Sequence, residues 1–433
     1  MTEPQTTERT DEAETRPQGL SRSRTFESLR VPAFRWFLAS TLGLGGGMMM
    51  QLLVTGYVVF VLTGSYAALG TVALADAAAG LLLSMWGGVI ADRLPKKRVI
   101  QVGLAASASV AVSVAVLLWL DLLVFWHLIA ATGAEGAIFA LMMPARQSML
   151  PEVAGMKLLQ NAVALNMGGM NAMRLFAPAI GGVLLAVIAP QYVYLAIACF
   201  YLLSAGMLLP VPTSAAIAIP DPSVALERGA RAEARRALRE LIDGFRYLGA
   251  NPTIRTLILT NVTIVLFSMP YIMILAGYVL DVLDGGPETI GLLHSVAGVG
   301  SVTGTLIIAS MSAHRRGVML LAGPFLMGIA LLAFTLTTNI WIVGAVMVVI
   351  SLGQTFRMSL NNVLVHAYVD DAYRGRVMSI QMMQWTVVSL GGFALGILAS
   401  IIGPVQALRG MALVLLAIVV AVAVFVPRIR NLD

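Results

Sequence analysis

The chain has 433 residues, 58% of them apolar and only 12% charged, against about 25% charged in an average soluble domain. Water is therefore not its main solvent, and a soluble helical protein of this size would need a charged face that its apolar runs do not offer. The formal net charge of +6 calls for no nucleic acid, because the basic residues gather in loops as they do in membrane proteins.

Residues 1–33 are polar, mix Glu with Arg and contain no apolar stretch fit for a signal peptide. They are expected to form a disordered cytoplasmic tail. Breaks set by charge clusters, Pro and Gly then place helices near 34–62, 67–91, 98–120, 123–146, 158–188 and 191–210. A second set follows near 254–282, 288–311, 317–337, 340–364, 375–402 and 405–426. Each is long enough to cross about 30 Å of hydrocarbon. The fold class expected is thus an all-α membrane protein of twelve transmembrane helices in two six-helix bundles, 34–210 and 254–427. A linker, 211–253, joins them, and a short tail, 428–433, ends the chain. Within the linker, Leu238, Leu241, Ile242 and Phe245 share a helical face opposite Arg231, Arg235, Arg236 and Arg239, the pattern of an amphipathic surface helix or of a plain connector.

Of the 28 Lys and Arg, all but Arg174, Arg357 and Arg409 fall in the tails, the 92–98 loop, the 146–157 loop with Arg146 and Lys157, the 211–255 segment, and the loops at Arg315, Arg316, Arg374 and Arg376. Cytoplasmic loops retain such residues, so both termini are expected inside a bacterial plasma membrane. Sliding the chain by 217 positions superposes Gly87 on Gly304, Arg98 on Arg315, Gly136 on Gly353 and Phe139 on Phe356. A duplicated six-helix unit around a midplane cavity accounts for this, as in many secondary transporters.

Ionisable residues inside a span are costly and mark function by default. Asp76, Glu135, Arg174 and Arg357 are such residues, with His294 as a further proton-carrying or packing candidate. Glu135 and Arg174, on consecutive spans at comparable depth, could pair. A carboxylate in an apolar site can take up a proton near neutral pH, whereas one beside an Arg stays ionised. Switching between those surroundings is the minimum apparatus of proton coupling, and a permanent salt bridge that orders the bundle is the alternative. Met50 and Gln51 in span one, with Gln381, Gln384 and Trp385 in span eleven, are candidates for the cavity lining, Met for adaptable apolar contact and the amides for orientation. Pro178, Gly181 and Gly182 remove a backbone hydrogen bond and side-chain bulk from span five, which suits a bend or close helix packing. The single cysteine, Cys199, and four dispersed histidines offer no metal-ligand spacing, and no phosphate-cradling loop or catalytic constellation occurs, so neither metal nor enzyme activity is expected.

The segment Gly88-Val89-Ile90-Ala91-Asp92-Arg93-Leu94-Pro95-Lys96-Lys97-Arg98 resembles the loop signature of the major facilitator superfamily, with Pro95 where that family has Gly. Pro144-Ala145-Arg146, Leu150-Pro151-Glu152, Arg174 through Gly182, Gly244-Phe245-Arg246-Tyr247 and Arg374-Gly375-Arg376 are similar to its drug- and siderophore-exporting branch, including macrolide-efflux and enterobactin-exporter proteins. The resemblance implies export of a small amphiphilic molecule, drug, siderophore or lipid-like, in exchange for protons by a monomer, with no cofactor but the proton gradient. It also implies a gate in which Gly88, Asp92, Arg93 and Lys97 meet Arg374 and Arg376 across the two halves. Import of a polar nutrient, or a non-transporting sensor on the same scaffold, are the competing readings.

Overall fold

A computed structural model describes residues 26–212, 239, 242–310, 316–370, 373–430 and 432, without the side chains of residues 85, 88, 89, 91–93, 309, 379 and 382. Twelve helices are long and apolar enough to cross a membrane. The first six are Pro32–Thr63, Tyr66–Arg93, Lys96–Trp119, Phe125–Ala154, Leu159–Val187 and Pro190–Met207. Span seven is Pro252–Asp281, span eight Pro287–Ser310, span nine Arg316–Phe334 and span ten Ile340–Tyr368. Span eleven combines Arg374–Met382 with Gln384–Ile402, and span twelve is Pro404–Phe425.

Local chemistry sets these limits. Gly64 ends span one in the left-handed conformation at φ 59°, and the Ser65 side chain then accepts from the Ala68 amide to start span two. Asn251 and Asn339 cap spans seven and ten through their side-chain oxygens, while Pro190, Pro252 and Pro404 open their helices where no amide hydrogen is needed. Span seven is interrupted between Ser268 and Tyr271 at Pro270, and span eleven bends at Met383.

Two boundaries differ from the sequence expectation. Span ten runs to Tyr368 where 364 was expected, and span four, expected to end at 146, continues through Pro151 to Ala154. A proline in the last turns costs the helix one bond without ending it when neighbouring helices hold the segment. Arg146, expected in a loop, is therefore a buried residue inside span four.

The two halves repeat a packing theme. Gly87 of span two lies where a Cβ would meet the Ala140 carbonyl oxygen of span four at 2.2 Å, and its counterpart Gly304 of span eight faces Thr355 of span ten at 3.0 Å. Within each half the glycines let backbones approach, which is how helices associate where lipid removes the hydrophobic drive. An even number of spans puts both chain ends on one face, which carries most of the basic residues and is called the basic end below. The opposite face, with Asp121, Asp281 and Asp284, is the acidic end.

From the linker, a helix over 242–250 lies on the basic end of the second half. Leu248 joins Ile254, Val365, Val369, Val377 and Ile380 in an apolar cluster, and the Tyr247 ring stacks on Tyr373 at 4.4 Å. The Leu238, Leu241, Arg231, Arg235 and Arg236 part of the amphipathic pattern lies outside the described residues.

Candidate functional site

The halves meet in two seams, span two against span eleven and span five against span eight, and both are tight toward the acidic end. A Cβ on Gly291 would stand 2.4 Å from the Pro178 carbonyl oxygen, one on Gly182 2.7 Å from that of Pro287, and one on Gly70 2.7 Å from the Phe393 Cα. Tyr66 donates to Asp281 Oδ2 at 3.0 Å, and the Ala67 amide to Ser400 Oγ at 3.0 Å. Pro178 and Gly182 thus mediate contact between the halves, whereas Gly181 faces Met50 of span one.

Toward the basic end the same helix faces come apart. Ala164 and Gln160 stand about five turns before Gly182 and Pro178, on the same face of span five, and both are exposed. On span eight, Val302 is 42% exposed and Thr305 is open, though they continue the face of Gly291 and Gly298. Trp385, on the face of span eleven that carries Gly392 and Gly396, is 51% exposed. A face that is buried at one end and bare at the other describes a cleft between the halves that widens toward the basic end.

Arg174 is exposed on this cleft. The lipid-facing stripe of span five is Phe176, Val183 and Val187, all exposed, and Arg174 projects from the opposite side, between Gly181 against span one and Gly182 against span eight. Met167, two turns nearer the basic end on the same side, is 60% exposed. The expected pairing of Glu135 with Arg174 does not occur: Arg174 makes no hydrogen bond or ion pair with any described residue, and Glu135 is turned into its own bundle. At 6% exposure Glu135 accepts from Ser107 Oγ at 2.8 Å through Oε2, while Oε1 is buried without a donor among the described residues. Gln51 lies beside it and accepts from Tyr201 Oη at 2.6 Å, and Tyr194 bonds to Thr55 at 3.0 Å nearby. Asp76 adds the second carboxylate, pressed against span four where a Cβ on Gly136 would meet its Oδ1 at 2.8 Å. Spans one, two, three, four and six therefore converge on one polar cluster at bilayer depth.

The second half holds a cationic counterpart. Arg357 is buried, donates to Asn261 Oδ1 at 2.6 Å and points Nη2 at Met269 Sδ at 3.7 Å. Asn261 in turn faces Gln384 at 3.5 Å. Arg357 does not reach toward headgroups, since these partners hold it inward. His294 is half-buried and makes no hydrogen bond with a described residue.

Several expected positions are corrected. Met50 is 0% exposed and packs on Gly181, so it belongs to the bundle core and not to a cavity wall. Gln381 is buried and donates to Asn362, so it does not line an open wall. Lys97 donates to the carbonyl oxygens of Leu209 and Val211 at 2.8 Å each, closing the end of span six within its own half instead of gating across halves. Lys96 pairs with Glu152 in the same way. Arg376 lies 3.9 Å from Asp243 of the linker helix and over the Tyr373 ring. Arg374 opens the same helix and is exposed. The side chains of Asp92 and Arg93, which with Gly88 would complete the gate, lie outside the described residues.

Sequence reasoning missed Arg146, which donates to Thr41 Oγ1 at 2.7 Å and Ser40 Oγ at 3.4 Å and lies over Phe37 at 4.9 Å. Its signal was available in the two apolar turns, Met142 and Met143 before it and Met149 and Leu150 after it, which make its surroundings helical and buried.

The transmembrane secretion effector family matches residues 23–433. The chain belongs to that family, a branch of the major facilitator superfamily of transporters. It is 28% identical to the staphyloferrin A transporter of Staphylococcus aureus (strain NCTC 8325 / PS 47) over 75% of this chain and 79% of that protein. To the multidrug efflux pump Tap of Mycolicibacterium fortuitum it is 26% identical over 92% and 96%. Among solved structures, a POT family transporter in complex with 5-aminolevulinic acid superposes with a TM-score of 0.71 at 13% identity, covering 94% of this chain and 97% of that one. The nucleoside transporter NupG gives 0.68 at 14% identity, over 94% and 100%. The chain is a multi-pass membrane transporter and not an enzyme.

Proposed function

We propose that this transporter exports a small amphiphilic molecule in exchange for protons, by rocking two six-helix halves about a central cleft. The observation that carries the reading is the cleft itself: closely packed glycine seams at one end continue as bare faces at the other, and charged groups stand between. Because the wide end carries the basic loops, the positive-inside rule makes it cytoplasmic, so both termini face the cytoplasm of a bacterial plasma membrane and the cleft is open inward. Walls of Met167, Val302, Leu81 and Trp385 suit an apolar body, which fits relatives named for a siderophore and for multidrug efflux better than a polar nutrient.

Glu135 is the proposed proton carrier. An anionic carboxylate buried with one oxygen undonated is expensive, and taking up a proton removes the charge. Its neighbour Asp76, open to the cleft, is placed to pass that proton on. Spans two and four, which carry these residues, contact each other along their length, so a proton on Glu135 is felt at the seam that span two forms with span eleven.

Purified protein in liposomes loaded with a pH-sensitive dye tests this. Adding substrates from a drug and siderophore panel should move protons against the substrate flux, and Glu135→Gln should keep binding but abolish the coupled proton movement. Substrate flux with no proton movement in wild type, or full coupling in Glu135→Gln, would overturn the proton assignment, and uptake in the direction of the proton flux would make the protein an importer.

A further inference from the structure

The arginines within the spans are not alike. Arg146 is bonded to Thr41 and Ser40, Arg357 to Asn261, and Arg409 to the Thr335 hydroxyl at 3.1 Å and carbonyl at 2.9 Å. In each case neutral protein acceptors hold a guanidinium that lipid would not. Arg174 has no such acceptor among the described residues, though it lies about 20 Å from the acidic end of span five at 1.5 Å per residue. Neither midspan carboxylate bonds to Arg174: Glu135 accepts from Ser107, and Asp76, which is exposed, lies against Gly136 of span four. An open guanidinium fork on the cleft wall, beside exposed apolar Met167, is suited to a planar or tetrahedral oxyanion, which it can grip through two parallel hydrogen bonds.

We propose that Arg174 receives an anionic group, a carboxylate or phosphate, on the transported molecule, so that the cleft selects amphiphilic acids over neutral molecules of the same shape. This rests on the transport reading above and adds the chemistry of its substrate. The acid end sits at midspan on Arg174, and the apolar body extends toward the basic end along Met167 and Val302, both exposed. Arg174 is then a binding residue and not part of the proton path.

A matched pair of fluorescent probes, 11-(dansylamino)undecanoate and its methyl ester, decides the matter. Binding is measured by dansyl emission on full-length protein in phosphatidylcholine nanodiscs, and again with one-fifth phosphatidylglycerol. Wild type should bind the acid on the order of tenfold tighter than the ester, a preference of the size expected for a hydrogen bond to a charged group. Arg174→Gln should bring the acid down to the affinity of the ester, and saturable ester binding by the variant shows that it has folded. Arg174→Lys should keep part of it, since an ammonium supplies charge without the fork.

Equal affinity of wild type for acid and ester, or an acid preference that survives in Arg174→Gln, overturns the inference. Loss of the acid preference when phosphatidylglycerol is added also overturns it, because the site then belongs to a lipid headgroup. The two readings fail separately. An Arg174-dependent acid preference in a protein that moves none of its ligands across liposomes would remove transport and leave the anion site, whereas export of neutral compounds with no acid preference would do the reverse.

Discussion

Arg146 donates to Thr41 and Ser40 and covers the ring of Phe37, so one truncation removes a charged hydrogen bond, a cation–π contact and the packing of a long stem. Arg146→Ala should lower stability by roughly 2–4 kcal/mol through the lost packing, ring contact and charged hydrogen bonds, although Ser40 keeps Ser204 and Thr41 keeps Asn166 as partners. Arg146→Lys should recover only part of that loss. Thermal unfolding in detergent measures both, and a wild-type melting temperature in Arg146→Ala would show that the contacts contribute nothing. The residue was not legible in sequence because its partners lie 105 and 106 positions away, while the rule that basic residues mark loops pulled it outward. Met50 and Gln51 teach the same lesson, since adjacent residues of one span meet Gly181 and Tyr201 on different helices. That Asp76, Glu135, Arg174 and Arg357 lie within spans could be read from the sequence, and the cost of charge in lipid makes them candidates. Which of them are satisfied could not be read there, because satisfaction depends on spans that only folding brings together.

The span-five and span-eight seam acts as a unit, and its geometry allows one sharp perturbation. A Cβ at Gly291 would collide with the Pro178 carbonyl at 2.4 Å and with the Gly182 Cα at 2.9 Å, both of them backbone atoms that cannot step aside. Gly291→Ala should therefore push the halves apart at the acidic end and favour the state open there. A membrane-impermeant thiol reagent applied from that side should label Ser400→Cys faster in the Gly291→Ala background than without it, with Cys199 replaced by Ser in both. Tyr66→Phe, which removes one hydrogen bond to Asp281, should act in the same direction by about fivefold, the worth of a typical single bond. Unchanged labelling in Gly291→Ala would mean the seam yields without opening. Elements of this kind are largely legible in sequence. Twelve apolar runs of sufficient length gave twelve helices, and Gly64, Asn251 and Asn339 ended or began them where their chemistry predicts. What escaped was the continuation of span four beyond 146 and through Pro151, since whether a proline stops a helix depends on what supports the carbonyls it leaves behind.

At the scale of the whole molecule, rocking requires that contacts within a half persist while contacts between halves exchange. The linker helix belongs to the second half by this criterion: Asp243 meets Arg376, Tyr247 stacks on Tyr373 and bonds to Asp370 at 3.1 Å, and a Cβ on Gly244 would lie 3.0 Å from Ile380 and 3.3 Å from the Arg376 Cβ. None of these partners comes from the first half, so the helix should ride with spans seven to twelve as they pivot. Ala67 and Ser400, by contrast, join span two to span eleven across the seam that must part. Two double-cysteine variants on a Cys199→Ser background separate the cases, one at Asp243 and Arg376, the other at Ala67 and Ser400. Each would be oxidised with copper phenanthroline, and transport measured in liposomes before and after reduction. The first cross-link ties together parts that move as one and should leave transport within about twofold of the reduced protein; the second pins the acidic end shut and should reduce it to background, with recovery on reduction. If the first cross-link blocked transport as fully as the second, the linker helix would have to change partners during the cycle, and the rigid half would have to be redrawn without it.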